Sequence, residues 1–600
     1  MKNSYPVLNG SFIAIDIETH EEMDIRKYGP GSHRGYLTDD PSEILCISIS
    51  DAENDFCLPA SKETFDWLIS IENKYLFVGH NILYDLGWLY YEDFKPAKVA
   101  DTMGLVKMLD EDRRPRKGFP KPYSLDACGN TYLGSRKEED QLQILCDKYH
   151  LSGAPQKHLK QLIELGHKDI VYSYAKKDTR LTYDLYAKLI PRIAEQDLTL
   201  IWSYETRLLP ILAEINNKGI RIDESRREAV SIELGKEIKI LEEWLFDKAG
   251  GPFKEGSGKQ LEAIFTKLDL PFKRNPPTEN MLKKDPTAKG NASFAAPDML
   301  PYGEEINEDY FPHVLVSYRK LKKLKKDFID RLQDFIIDGR IHPNVNPYGT
   351  KTGRPTCSAP NVFQIPKRGR GKELCRTLFI PEEGQIWYSM DYASEEYRVF
   401  AHYAIGAGSD IYRMKYNTIP GYDMHVENAK LAGCDRPKAK TIGLGVLFGM
   451  GATKMAQNLG VGEKKGMVII DKFHEVNPSF KQTSYHVSNV AKSRHWIKTI
   501  MGRRKRFPKG EGAYRGLNFL TQGNSADLGK VTIVEAYEAG LLDKMTFHLW
   551  LYDEFNLSVK PGDEYLVKQF QEIAETCIKF KVKMQLDIEK GPNWGEVVKV

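Results

Sequence analysis

Along residues 12–90 the apolar positions fall in short runs broken by turn residues. Phe12–Ile17 (FIAIDI), Ile44–Ser50 (ILCISIS) and Tyr75–Val78 (YLFV) read as sheet strands. From about Leu198 the period lengthens: LIWSYETRLLPILAEINNKGIRID carries apolar residues at helical spacing and stops at Gly219. Residues 250–310, rich in Gly, Pro, Asn and Lys, read as loops with short helices. Arg319–Ile337 is expected to be one amphipathic helix, with Leu321, Leu324, Phe328, Leu332 and Phe335 in a stripe and lysines outside. Such a helix can lie on a membrane or pack into a domain; packing is the reading taken here, with the lysines gripping phosphates. Gln385–Ala404 (QIWYSMDYASEEYRVFAHYA) begins as a strand and turns helical after Glu395-Glu396. In Thr546–Val559 (TFHLWLYDEFNLSV) two β-rich runs flank Tyr552-Asp553-Glu554-Phe555, which predicts a hairpin with its acids at the turn.

Length alone, 600 residues, implies about three or four domains. The net charge of +3 excludes a whole-protein basic field, but the positive residues cluster in Arg319–Lys326, Lys367–Lys372 and Arg503–Lys509. Three such clusters in one half of the chain point to a phosphate-binding groove. The eight cysteines stand singly, without zinc spacing, which fits reduced thiols in the cytoplasm. The N-terminal stretch lacks the apolar core of a signal peptide, and no run approaches a membrane span.

Acids then supply candidate chemistry. Asp16 and Glu18 lie two apart on a strand and share a face, where they repel unless a cation sits between them. Asn81 with Asp85, and Tyr174 with Asp178, have the i,i+4 spacing that puts each pair on one helix face. Asp16, Glu18, Asp85 and Asp178 with a tyrosine are an inventory for two divalent ions and one positioned water. Asp391 ends an apolar strand; taken alone it either caps the following helix or holds a metal. Arg436, Lys440, Leu444 and Phe448 recur every fourth residue: two cations for phosphates, two apolar groups for sugar and base. Gly443, Gly445 and Gly449 weaken that helix, as suits a segment that bends over substrate. EGSGKQ fails as a phosphate loop, because Phe253 stands where a glycine is needed and Gln260 follows Lys259.

The order of these blocks resembles family A, DNA polymerase I-like enzymes over nearly the whole chain, and the early acids resemble a DnaQ-like 3′–5′ exonuclease domain. The resemblance implies a multidomain α/β and α+β chain: an RNase H-like exonuclease domain at residues 1–195, then a right-hand polymerase with thumb 196–340, palm 341–420, fingers 421–535 and a second palm part 536–600. In the exonuclease it implies that Tyr174 orients the attacking water and that Asp101 and Ser124–Ala127 are supporting positions. In the polymerase it makes Asp391, within DYASEEYR, and Asp553, within YDE, metal ligands. Tyr392 supplies backbone contacts, Glu396 excludes a ribose 2′-hydroxyl, and His425 contacts phosphate. Arg354 of the TGR triplet meets the minor groove, and Asn518 and Gln522 match a DNA-binding N…QG motif in which the glutamine touches the template strand. Lys440 is placed to protonate pyrophosphate. The chain departs from the family at Leu444, Phe448, Tyr552 and PNVFQIP (Pro360–Pro366), which implies altered discrimination and primer contacts rather than lost chemistry.

The implied cofactors are two Mg²⁺ at the polymerase site and two divalent ions, Mg²⁺ or Mn²⁺, at the exonuclease site. The implied partners are primer–template DNA and deoxynucleoside triphosphates, with no membrane; helicase or single-strand-binding partners in a replisome are left unidentified. An exonuclease beginning near residue 12, with no 5′-nuclease ahead of it, suggests a bacteriophage replicative enzyme in the host cytoplasm. A single-subunit RNA polymerase is opposed by Glu396 and the proofreading acids. A silent DNA-binding scaffold is opposed by six clustered acids, and a stand-alone nuclease has no use for Arg436–Phe448.

Overall fold

The computed structural model describes residues 5–20, 43–137, 139–300 and 305–600. Residues 1–4 of the N-terminal stretch and 301–304 of the loop-rich stretch lie outside the described residues. The first sheet has the order β3-β2-β1-β4-β5, from Phe12–His20 (β1), Glu43–Ser50 (β2), Asp55–Pro59 (β3), Leu76–Gly79 (β4) and Val99–Asp101 (β5). β1 is central, antiparallel to β2 and parallel to β4, so its isoleucines 13, 15 and 17 are buried. The β1–β2 register shifts between Glu18 and Thr19, an irregularity beside an acid of the kind that re-aims side chains. Helix Lys168–Leu189 crosses this sheet and buries Tyr174, Asp178 and Leu185.

The second sheet is antiparallel throughout, β7-β8-β6-β9-β10, from Ile386–Tyr392 (β6), Thr546–Leu551 (β7), Glu554–Val559 (β8), Leu586–Gly591 (β9) and Val598–Lys599 (β10). β6 sits in the middle with alternating side chains dividing between the faces. Tyr392 goes to the helical side, where its hydroxyl donates to the Ala574 carbonyl at 2.8 Å and meets Thr532 at 3.1 Å. Trp387 goes to the other, stacked on His548 with ring centroids 4.4 Å apart. Behind the sheet runs Gly516–Glu538, a helix buried over most of its length.

Three expectations change here. Arg319–Ile337 is not one α-helix: Phe311–Leu324 is α-helical, Lys325–Asp330 is a π turn and Arg331–Phe335 is 3₁₀. Leu324, Leu332 and Phe335 are still buried, so the stripe survives while the hydrogen-bond period changes beneath it. The basic clusters are partly spent within the fold, while Arg368 lines the cleft with Arg436 and Lys440. Arg319 donates to the Phe294 carbonyl at 2.6 Å and Lys322 to Glu255 at 2.6 Å; Arg503 is buried between Glu205 and Asp527. The glycines of Arg436–Leu447 serve close packing: a Cβ on Gly443 would stand 1.7 Å from the Tyr397 hydroxyl, and one on Gly445 3.0 Å from Met455 Cε. Among the described residues no helix is long and apolar enough to cross a membrane.

Candidate active sites

At the first sheet, Asp16 and Glu18 project from β1 toward Asp178 on Lys168–Leu189, and Asp85 enters from helix Leu83–Leu89. Asp85 Oδ1 accepts from the Ile17 amide at 3.2 Å, which ties that helix to β1. Asn81 does not share the helix face with Asp85. It precedes the helix at φ 68°, and its amide donates to Asp101 Oδ1 at 2.9 Å. Burial and the neighbouring Asp178 charge push Asp16 up to about 7. Burial and Asp16 likewise hold Glu18 and Asp85 well above the usual carboxylate range. Burial also raises Asp101, which its amide donors partly offset.

Into this cluster reaches Lys137, whose ammonium donates to Asp178 Oδ2 and, at 3.2 Å, to the Tyr174 hydroxyl. Burial alone would depress its pKa, but Asp178 outweighs it and leaves the lysine well above its ordinary value. Its loop is pinned by Asp126, which accepts from the Lys137 amide at 3.2 Å and from Arg136. Asp126 stands in the first turn of a helix capped by Ser124, so the Ser124–Ala127 segment supports the site by holding this lysine.

At the second sheet, Asp391 is the penultimate residue of β6, and Asp553 lies in the two-residue β7–β8 turn with Tyr552 at φ 57°. The Tyr392 amide donates to the Asp553 carbonyl at 3.0 Å, which brings the two acids side by side although 161 residues of chain separate them. The hairpin presents only one of its acids. Glu554 is turned inward, paired with Arg376 at 2.9 Å and bonded by Trp594 at 2.8 Å. Burial would raise Glu554, but Arg376 and Lys367 hold it down at about 2. Burial and the Asp553 charge push Asp391 the other way, to about 8.

A cleft of about 430 Å³ opens beside these acids, lined by Glu396, Asp423, His425, Arg436 and Lys440. Arg436 pairs with Asp423 at 2.6 Å, and Asp423 also accepts from the His425 amide at 2.8 Å. Burial lowers His425 to about 4, leaving a neutral ring whose Nδ1 has no hydrogen-bond partner. Leu444 and Phe448 line an adjoining hollow of about 340 Å³ with Lys440. Arg354 lies 3.9 Å from Glu396 and over the Tyr552 ring at 5.5 Å, so these three form one surface. Asn518 and Gln522 lie one turn apart, half-buried, on Gly516–Glu538. Glu395 is buried and accepts from Ser525; burial keeps its pKa well above the usual carboxylate range.

Both places fit a divalent cation by the same sign. Asp178 Oδ1 and Asp391 Oδ1 are buried carboxylate oxygens with no hydrogen-bond partner. Among the described residues no three His, Cys, Asp or Glu form a ready cage.

A family model described as DNA polymerase family A matches residues 224–596, more than half of the chain, and one described as 3′–5′ exonuclease matches 31–194. The chain belongs to DNA polymerase family A. It is a DNA-directed DNA polymerase carrying a 3′–5′ exonuclease domain, in a family that works with divalent metals. The DNA-directed DNA polymerase of Pseudomonas phage M6 is 28% identical, covering 97% of this chain and 94% of its relative. The thermostable DNA polymerase I of Thermus filiformis is 31% identical over 69% of this chain and 50% of its own length. The polymerase domain of Pol1 from M. smegmatis, solved with a DNA primer-template and dNTP, superposes with a TM-score of 0.76 at 20% identity, covering 97% and 95% of the two chains. This last likeness shows the polymerase's fold.

Sequence reading missed Lys137, Lys367, Arg376 and Asp423. Lys367 and the Lys367–Lys372 cluster were visible as charge, but their target was not. Lys367 donates to Asp391 Oδ2 at 2.9 Å and lies 3.4 Å from Glu554. Lys137 sits in a stretch of mixed charge with no period to single it out.

Proposed function

We propose that this polymerase extends a primer 3′ end with deoxynucleoside triphosphates on a DNA template and removes misinserted ends at its exonuclease site. The observation that carries the reading is the pairing of Asp391 and Asp553 at the end of the second sheet, across one cleft from Arg436 and Lys440. Two Mg²⁺ held by Asp391 and Asp553, when bound, would activate the primer hydroxyl and neutralise the triphosphate. The chain's own residues do the rest. Arg436 and Lys440 bind phosphate oxygens, with Asp423 holding Arg436 in place and Lys440 giving a proton to departing pyrophosphate. Leu444 and Phe448 take sugar and base, Tyr392 orients the β6 end, and His425, neutral, donates toward a phosphate. Glu396, beside Arg354 and Tyr552, occupies the space a 2′-hydroxyl needs; Asn518 and Gln522 face the template.

At the other site, Asp16, Glu18, Asp85 and Asp178 would hold two divalent ions, Mg²⁺ or Mn²⁺, and Tyr174 would orient water against a frayed 3′ end. The division into exonuclease domain 1–195, thumb 196–340, palm 341–420 and 536–600, and fingers 421–535 belongs to this proposal. A role in bacteriophage DNA replication is supported by the likeness to a phage polymerase over almost the full length of both chains.

The test is primer extension and mismatch excision on one primed template with Mg²⁺. Asp553→Ala should abolish extension and leave excision, Asp178→Ala should do the reverse, and Glu396→Ala should admit ribonucleotides. Extension that persists in Asp553→Ala, or ribonucleotide preference in the wild type, would overturn the reading.

A further inference from the structure

The two sites share a feature that their unrelated sheets do not require. In each, one carboxylate of the cluster has its Oδ2 bonded to a lysine ammonium and its Oδ1 buried without a partner. Lys137 does this to Asp178, and Lys367 to Asp391. Each lysine has a second oxygen within reach: the Tyr174 hydroxyl at 3.2 Å for Lys137 and Glu554 Oε2 at 3.4 Å for Lys367. Neither sits on a regular element that would fix its side chain. Lys137 lies in the loop between helices Leu125–Tyr132 and Asp140–Lys148, and Lys367 in the segment between the 3₁₀ turn Val362–Gln364 and helix Gly369–Cys375. Their backbones are held, and only their side chains reach in to the acids. The Lys137 amide is bonded to Asp126, and the carbonyl just before Lys367, that of Pro366, accepts from Arg376 at 3.1 Å. Both side chains keep a route outward, Lys137 26% and Lys367 49% exposed.

We propose that Lys137 and Lys367 are tethered counter-cations: each occupies the place of a divalent ion among the acids of its site and is displaced outward when that ion binds. The proposal rests on the metal-holding roles given above to Asp178 and Asp391. A lysine in this position offsets the mutual repulsion of the carboxylates in the metal-free enzyme. It also makes the ion compete for its place, so that the observed affinity is the intrinsic one reduced by the fraction of time the lysine is away. The leftover Oδ1 in each site is the handle by which an incoming ion first engages before the ammonium leaves. Once outside, each ammonium lies at the mouth of a site for polyanionic substrates, where it adds positive charge for the next phosphate group.

The experiment uses the full chain without DNA. Amines are acetylated briefly in EDTA or in saturating Mn²⁺, and modification of Lys137 and Lys367 is read by peptide mass spectrometry. Modification of both should rise on adding Mn²⁺, by about tenfold if each lysine is engaged nine-tenths of the time in the metal-free protein. Unchanged or reduced modification would mean that the ammonium stays on its acid, and would overturn the proposal. In parallel, Mn²⁺ binding is followed by electron paramagnetic resonance. Lys367→Met should tighten the polymerase-site ion by about tenfold on the same arithmetic, with Lys367→Arg close to wild type. Equal affinity in Lys367→Met and wild type would also overturn it. Asp391→Asn separates the two levels of inference: if it leaves Mn²⁺ stoichiometry intact, the metal-site reading itself fails. If it removes an ion while the lysines remain insensitive to Mn²⁺, only the counter-cation proposal fails.

Discussion

Asp391 and Asp16 are half-buried among like charges, and their pKa values of about 8 and about 7 mean that the metal-free fold binds protons the unfolded chain has released. For such a raised acid the stability contribution is full below the ordinary carboxylate value and is lost as pH rises from there through the folded one. A divalent cation takes the ionised form, so protons and Mg²⁺ compete. The thermal stabilisation given by excess Mg²⁺ over EDTA should therefore grow from about pH 6 to about pH 9. Melting curves in both conditions measure it, and a constant gap would contradict the expectation. Glu554 has the opposite sign. Held at about 2 by Arg376 and Lys367, against its ordinary 4.5, it contributes stability that is full above the ordinary value and is lost as pH falls through the folded one. Arg376→Met leaves that buried carboxylate short of its partner and should cost about 3–5 kcal/mol in urea unfolding. Asp16 and Glu18 were legible from strand alternation and Asp178 from its i,i+4 spacing to Tyr174, whereas the spacing that singled out Asp85 paired it with Asn81, which lies off its helix. The lysine neighbours of these acids were not legible, since a contact across a fold leaves no local period.

Among the elements, helix Arg436–Leu447 shows how one reading of a residue can be right about place and wrong about cause. Spacing alone put Arg436, Lys440, Leu444 and Phe448 along one face; Arg436 and Lys440 line one cleft, and Lys440, Leu444 and Phe448 line the next. The glycines looked like flexibility, yet Gly443 leaves room for Tyr397, a fully buried ring whose hydroxyl accepts from Asn428 at 3.3 Å. That ring has no room to retreat, because Phe480 and His425 pack against it. Gly443→Ala should therefore push the helix away from Tyr397 on helix Glu395–Tyr403, costing about 1–3 kcal/mol. Nucleotide incorporation should fall while single-strand excision is kept; equal incorporation would show that the helix accommodates a methyl there. The same limit explains Arg319–Ile337. An apolar stripe records which side is buried, and that side stays buried through a π turn, so the break in hydrogen bonding was invisible in the pattern.

On the scale of the whole molecule, the basic run Arg503–Lys509, one of the three clusters read as a phosphate-binding groove, fastens the exonuclease half to the polymerase half. Hairpin Trp496–Lys498/Arg504–Arg506 presents Arg506 to Glu111 at 2.6 Å and Lys505 to Glu111 at 3.4 Å, and Lys505 also bonds Asp112. Lys351 joins from the other side, 2.6 Å from Asp112. Glu111 and Asp112 follow helix Thr102–Leu109, whose cap is Asp101, so the contact leads within a short span to the exonuclease acids. One residue before the Arg504–Arg506 strand, Arg503 enters the fully buried Glu205–Lys530 pair that holds helix Thr199–Lys218 on Gly516–Glu538. Glu111 is itself buried, so its pair with Arg506 escapes much of the screening that salt imposes on exposed pairs. Glu111→Gln combined with Asp112→Asn removes the carboxylate charges and leaves side chains of similar shape, which should loosen the halves without unfolding either. Excision of a single strand, which needs only the exonuclease site, should then stay near wild type. Excision of a mismatched primer end, which must pass from one half to the other, should change severalfold relative to it. The ratio of the two rates is the measurement, and a ratio equal to that of the wild type would mean that the clamp does not govern the passage between sites.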